Sequence, residues 1–126
     1  METNRRFSEW VSNIAKTENP PTLVQGFYFG IFESAEGYTM YLVGTDCFDE
    51  EDEDWATEVV FEPADKYFVL GKDVQESENW EQVLEKVEKL LHNYVNSDAF
   101  QTSFLKKAQG IAMGFDDGNL SIIYKG

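Results

Sequence analysis

Carboxylate side chains dominate one short stretch of the chain, and a dense group of carboxylates can bind a basic protein surface or a metal ion. Seven of the nine residues from Asp46 to Asp54 are acidic, and Trp55 follows directly. The twenty residues 46–65 hold ten of the 24 carboxylates and no Lys or Arg. Each ionised carboxylate raises the cost of ionising its neighbours, so folding alone does not require this density. We call residues 46–58 the acidic segment.

The acidic segment is interpreted as a docking loop for a basic protein surface. It lies between two predicted strands, and Phe48 and Trp55 accompany its carboxylates. Aromatic anchors beside carboxylates that pair with Arg or Lys are typical of protein interfaces. The residues predicted to contact the partner are Asp46, Asp49, Glu50, Glu51, Asp52, Glu53, Asp54, Trp55 and Glu58. An adaptor protein in which the segment only confers solubility is an alternative.

A divalent metal is the other alternative for the same carboxylates, because calcium prefers several oxygen ligands at flexible spacing. An EF-hand loop counted from Asp46 needs a glycine at its sixth position and a glutamate at its twelfth. Glu51 and Thr57 stand there instead. The sequence therefore predicts no metal site and no cofactor. A calcium-binding protein or a small metal-dependent enzyme stays open as the alternative.

Thiol catalysis would require Cys47 and His92 to meet, because they are the only cysteine and the only histidine. The carboxylates around Cys47 are expected to raise its thiol pKa and suppress the reactive thiolate. The glycines at 26, 30, 110, 114 and 118 match neither a dinucleotide-binding nor a P-loop pattern, and close packing or a bulge is the ordinary cause of glycine in a strand. The sequence therefore predicts a protein that is not an enzyme, with no catalytic residue.

Length and charge limit the class of protein further. The 126 residues predict a single domain, 1–126, and 42% hydrophobic with 15% aromatic residues favours a folded chain. A formal net charge of −14 disfavours binding to nucleic acid or to an anionic membrane. No apolar leader or membrane-spanning stretch is visible, so a cytoplasmic location is expected.

Hydrophobic periodicity predicts the elements that must position these residues. Helical spacing predicts helices at 4–17, 78–95 and 98–108, and strand patterns predict hairpins at 25–45 and 111–124 and short strands at 58–62 and 66–70. The second hairpin turns at 116–119. The order α-β-β-(β-β)-α-α-β-β favours an α+β fold, an antiparallel sheet of about five to six strands with helices packed on one face.

Alternation along the first hairpin predicts two different faces of the sheet. Phe27, Phe29 and Met40 point to one face, and the other carries Tyr28, Phe32, Tyr41 and Val43. If helices cover only the first face, the second set is expected to be either partly exposed or covered by a partner, and partial exposure is favoured.

Four segments together resemble the immunity proteins of bacterial polymorphic toxin systems: GFYFGIFESAEGYTMYLVG, DEEDEDWA, FEPADKYF and GFDDGNLSIIY, about half the chain. The resemblance implies a cytoplasmic, single-domain inhibitor that binds a cognate toxin and blocks it. Many such toxins are basic nucleases, which an acidic surface can meet by mimicking phosphates. On this resemblance the toxin contacts are Asp49, Glu50, Glu51, Asp52, Asp54 and Trp55.

Overall fold

The computed structural model describes residues 2–116, 118 and 120–126, and two residues of the predicted turn, Asp117 and Asn119, lie outside that range. The helices are α1 (Glu2–Thr17), α2 (Lys72–Gln75), α3 (Trp80–Val95) and α4 (Asp98–Gln101), with 3₁₀ helices at Glu53–Thr57 and Phe104–Lys107. The strands are β1 (Gly26–Ser34), β2 (Gly37–Thr45), β3 (Val59–Phe61), β4 (Tyr67–Val69), β5 (Gly110–Phe115) and β6 (Ser121–Lys125). The predicted α+β class is confirmed.

The sheet is mixed rather than antiparallel. In the described part of the chain it has six strands in the order β3-β2-β1-β5-β6, and β4 pairs with β2 on the same side as β3. The central strands β1 and β5 run parallel, from Gly26 opposite Gly110 to Ile31 opposite Phe115. The antiparallel prediction was wrong here because a helical crossover returns the chain to the end of the sheet where β1 begins.

The two long helices were predicted correctly, but the region 98–108 is not one helix. Asn79 caps α3, because its side-chain oxygen accepts the Gln82 N–H at 3.0 Å. After α4, the hydroxyls of Thr102 and Ser103 donate to the backbone carbonyls of Ala99 and Phe100 at 3.2 and 2.9 Å. Such local hydrogen bonds compete with a continuing helix, and the chain resumes as a 3₁₀ helix.

Each face of the sheet has its own core. The larger core joins sheet residues such as Phe29 and Leu42 to the buried stripes of α1 and α3, so these helices pack on one face, as predicted. The smaller core lies on the opposite face and consists of Tyr28, Val43, Trp55 and Ala112. Within the described residues, none of the helices has both the length and the apolar character that crossing a membrane requires.

Candidate functional site

The acidic segment is folded onto the second face of the sheet. Trp55 is only 3% exposed, and its ring lies 4.9 Å from that of half-buried Phe48. Both aromatic residues pack in or against the smaller core with Tyr28. The predicted contact of Trp55 with a partner does not fit this placement, because an indole buried by its own chain offers no surface. Its structural role is to fix the segment on the sheet.

Glycines in the two central strands make room for these rings. The parallel register places Gly26 beside Gly110, on the face that also carries Tyr28. A Cβ atom at Gly110 would lie 2.2 Å from the Phe48 ring, and one at Gly26 would lie 2.8 Å from Trp55. For Gly110, close packing or a bulge was the expected cause, and the structure shows close packing against Phe48.

The carboxylates of the segment point the other way, toward solvent. Every carboxylate predicted for partner contact is exposed, namely Asp46, Asp49, Glu50, Glu51, Asp52, Glu53, Asp54 and Glu58. Asp49 accepts the Glu51 N–H at 2.9 Å, and Asp52 accepts the Asp54 N–H at 3.0 Å, capping the 3₁₀ helix. Local hydrogen bonds therefore give the acidic surface a defined shape.

Two contacts tie the segment to the last hairpin. Glu53 accepts the backbone N–H of Leu120 at 3.0 Å. Glu50 forms an ion pair with Lys125 at 3.1 Å. Because both side chains of that ion pair are about half exposed, it adds little stability, and the buried Trp55 remains the main attachment.

An open cleft of about 610 Å³ lies beside the segment on the same face of the sheet. Its walls include the rings of Tyr28, Phe32, Tyr41 and Tyr67, and its charged residues are Glu53, Glu62, Lys66 and Asp116. The acidic segment covers Tyr28 and Val43, whereas Phe32 and Tyr41 remain only partly buried. The expected partial exposure is therefore correct for Phe32 and Tyr41 but wrong for Tyr28 and Val43, which are 5% and 2% exposed.

Two tyrosines that line the cleft have their hydroxyls fixed as hydrogen-bond donors. Tyr28 donates to the Gly114 carbonyl at 3.1 Å, and Tyr41 donates to the Asp116 carboxylate. Burial, assisted by the charge of Asp116, raises the pKa of Tyr28 above its usual range. Burial and the hydrogen bond to Asp116 likewise raise the pKa of Tyr41. Both phenols therefore keep their protons at a pH where an ordinary tyrosine begins to ionise.

A lysine of the chain already lies over two aromatic rings of the cleft. The Lys66 ammonium lies 2.5 Å from a Glu62 carboxylate oxygen, and 5.5 and 5.3 Å from the ring centres of Tyr41 and Tyr67. The hydrogen bond to Glu62 raises the pKa of Lys66. Rings and carboxylates of this cleft thus accommodate an organic cation.

Sequence reasoning missed the charged residues of this cleft: Glu62, Lys66 and Asp116. The alternating glycines of the two central strands were visible in the sequence, but they do not mark the cleft. Gly26, Gly30 and Gly110 instead make room for the rings of Trp55, Tyr41 and Phe48. The residues that line the rim of the cleft come from distant loops, which no local pattern indicates.

The cations of the chain lie mainly outside the acidic segment and the cleft. Eight of the ten Lys and Arg residues lie in helical segments: Arg5, Arg6, Lys16, Lys72, Lys86, Lys89, Lys106 and Lys107. The other two, Lys66 and Lys125, are each paired with a carboxylate, Glu62 and Glu50. The acidic segment and the cleft therefore carry a strong excess of negative charge.

Cys47 and His92 both lie at the surface of the protein. Local desolvation, followed by the charges of Asp46 and Glu58, raises the pKa of the exposed Cys47 thiol, in the direction expected. His92 is exposed on α3 and lies 3.8 Å from Glu88. Across residues 2–116, 118 and 120–126, no three His, Cys, Asp or Glu side chains converge in a geometry that could hold a metal ion.

Comparison with known proteins does not assign a function to this site. No protein family, curated protein or solved structure matches the chain.

Proposed function

We propose that this is a cytoplasmic, non-enzymatic binding protein of the immunity type, which inhibits a basic toxin by docking the acidic segment on it. One observation carries the proposal: eight exposed carboxylates are displayed on a segment whose own Trp55 is buried in the sheet. A surface fixed in this way loses little conformational freedom when it binds, so more of its interaction energy appears as affinity.

Electrostatics supports a protein partner of opposite charge. The acidic segment holds no Lys or Arg, and the chain's cations lie mainly in the helices. A potential concentrated on one face orients an approaching basic surface and raises the association rate, with a strong dependence on salt. The same potential repels nucleic acid, so a basic nuclease fits this surface better than its substrate does.

Neutralising part of the segment tests this function. The test variant replaces Asp49 and Asp52 by Asn, Glu50 by Gln and Asp54 by Asn, which keeps the acceptors of the local hydrogen bonds. The matched control replaces four exposed glutamates elsewhere by Gln: Glu9, Glu36, Glu78 and Glu85. Both variants lose four negative charges, so net charge is equal between them.

The measurement uses a binding partner captured from the source organism with the wild-type chain and then purified. Stopped-flow association is recorded at about 20 and 200 mM salt, since screening grows strongly over that range. We expect the segment variant to associate at least about tenfold more slowly at low salt, and the control variant far less so. Equal association rates for the two variants would show that the acidic segment is not part of the interface.

Co-expression tests inhibition itself. When the gene of the captured partner is expressed alone in a bacterial host, growth should stop. Co-expression of the wild-type chain should restore growth. A partner that leaves growth unaffected would contradict the immunity function, even if its binding depends on the segment.

A further inference from the structure

We propose that the cleft beside the acidic segment receives an arginine side chain of the basic protein partner, stacked on its tyrosine rings and paired with its carboxylates. This inference rests on the proposed function, since it names the group on the partner that the same face recognises.

The walls of the cleft suit a flat cation. Tyr41 and Tyr67 lie with ring centres 6.4 Å apart, and Phe32 lies 6.1 Å from Tyr41 and 6.0 Å from Tyr67. Tyr67 is 54% exposed, a large fraction for an aromatic ring packed against other rings. A guanidinium can stack on such faces while it continues to donate hydrogen bonds in its own plane.

Two carboxylates of the cleft lack a positive partner in the described part of the chain. Glu53 is engaged by the Leu120 N–H and Asp116 by the Tyr41 hydroxyl, both neutral donors. No described Lys, Arg or His lies within ion-pairing distance of either of them. Their charges also contribute to the raised pKa of Tyr28, so both act on the interior of the cleft.

The position of Lys66 shows which carboxylates of the cleft remain available to an arginine of the partner. The Lys66 ammonium lies over one side of Tyr41 and Tyr67 with Glu62 as counter-ion, so Lys66 and Glu62 compensate each other's charge. The uncompensated carboxylates, Glu53 and Asp116, remain for an incoming cation. Arginine presents five donors and sheds water more easily than an ammonium, so it can bridge carboxylates and rings at once. Free arginine fits less well, because its own carboxylate would face the acidic rim.

An NMR titration of the full chain tests the cleft directly. The probe is the blocked pentapeptide Gly-Gly-Arg-Gly-Gly, compared with versions that carry lysine or citrulline in place of arginine. We expect the arginine peptide to shift the ring resonances of Tyr41 and Tyr67, with a Kd about two- to fivefold lower than that of the lysine or citrulline peptide. Equal shifts with arginine and the uncharged citrulline would overturn the proposal.

Two variants locate the site. Tyr67→Ala removes an exposed ring, and we expect it to weaken arginine-peptide binding about two- to fivefold. Glu53→Gln keeps an acceptor for the Leu120 N–H but removes the charge, and it should weaken binding more than the charge-matched control Glu85→Gln. Unchanged affinity in both Tyr67→Ala and Glu53→Gln would also overturn the proposal.

The two hypotheses fail separately. If the purified partner associates through the acidic segment but the arginine peptide leaves the cleft resonances unmoved, the proposed function survives and the arginine site is wrong. If the arginine peptide binds the cleft but partner association does not depend on the acidic segment, the arginine site is supported and the docking role of the segment is wrong.

Discussion

The indole of Trp55 packs so closely against Gly26 that a Cβ atom at position 26 would lie 2.8 Å from the indole Cζ3 atom. This contact helps to convert a run of seven acidic residues in nine into a folded surface, because the segment is held on the sheet at its two large apolar residues, Trp55 and Phe48. The cost of crowding like charges is offset by burial of the indole and of Phe48 beside it.

Removing the indole is the first test of that attachment. Trp55→Ala should lower the free energy of unfolding by about 3–5 kcal/mol, the usual cost of deleting a buried large aromatic ring. Trp80→Ala is the matched control, since Trp80 is 57% exposed and should cost less than about 1 kcal/mol. Urea unfolding measures both. A cost for Trp55→Ala no larger than that of the control would mean that the segment is not held by its indole.

A methyl group at Gly110 should displace Phe48. Gly110→Ala places a Cβ atom 2.2 Å from the Phe48 ring, and we expect a loss of about 1–3 kcal/mol in the free energy of unfolding. Gly118→Ala is the control, because the nearest atom to a Cβ there is 3.6 Å away. In the background of Phe48→Ala, the cost of Gly110→Ala should shrink, and additive costs would contradict the clash.

The raised pKa values of Tyr28 and Tyr41 predict that the folded protein loses stability in alkaline solution. Their pKa values are raised in the folded protein, by burial above all, so the folded state keeps its phenol protons when the unfolded chain has lost them. This stability is fully present below about pH 10, the ordinary tyrosine pKa, and is lost as pH rises from there. Tyr28→Phe and Tyr41→Phe should each make the decline shallower.

Unfolding by urea at several pH values between about 8 and 11.5 measures this dependence, over the range in which an ordinary tyrosine ionises. Tyr67→Phe serves as the control, because its hydroxyl lies on an exposed ring. An equally shallow decline in Tyr67→Phe and Tyr41→Phe would show that the cleft phenols do not control it.

Asp52 separates the structural and electrostatic roles of a single carboxylate. Its side chain accepts the Asp54 N–H at 3.0 Å and caps the 3₁₀ helix. Asp52→Ala should cost about 0.5–2 kcal/mol of stability, whereas Asp52→Asn keeps a capping oxygen and should cost much less. Thermal unfolding compares the two, and equal effects would indicate that charge rather than the cap matters at this position.

Much of the fold followed from local patterns, and the departures have definite causes. The stripe from Phe7 to Ile14 and the one from Val83 to Tyr94 placed α1 and α3 correctly, because helical periodicity depends only on near neighbours. The helix stops after Gln101, where the hydroxyls of Thr102 and Ser103 bond to backbone carbonyls. In the sequence this signal is less conspicuous than the apolar spacing around it, which predicted one continuous helix. The immunity assignment itself stays a prediction.

The sequence by itself determined the two faces of the first hairpin and the concentration of charge in the acidic segment, since both are properties of neighbouring residues. Only the tertiary structure decided that β1 and β5 pair in parallel, that Trp55 turns inward, and that Lys66 and Asp116 meet Tyr41. Those relationships join residues far apart in the chain, and they are fixed by burial of apolar surface on both faces of the sheet rather than by any local pattern.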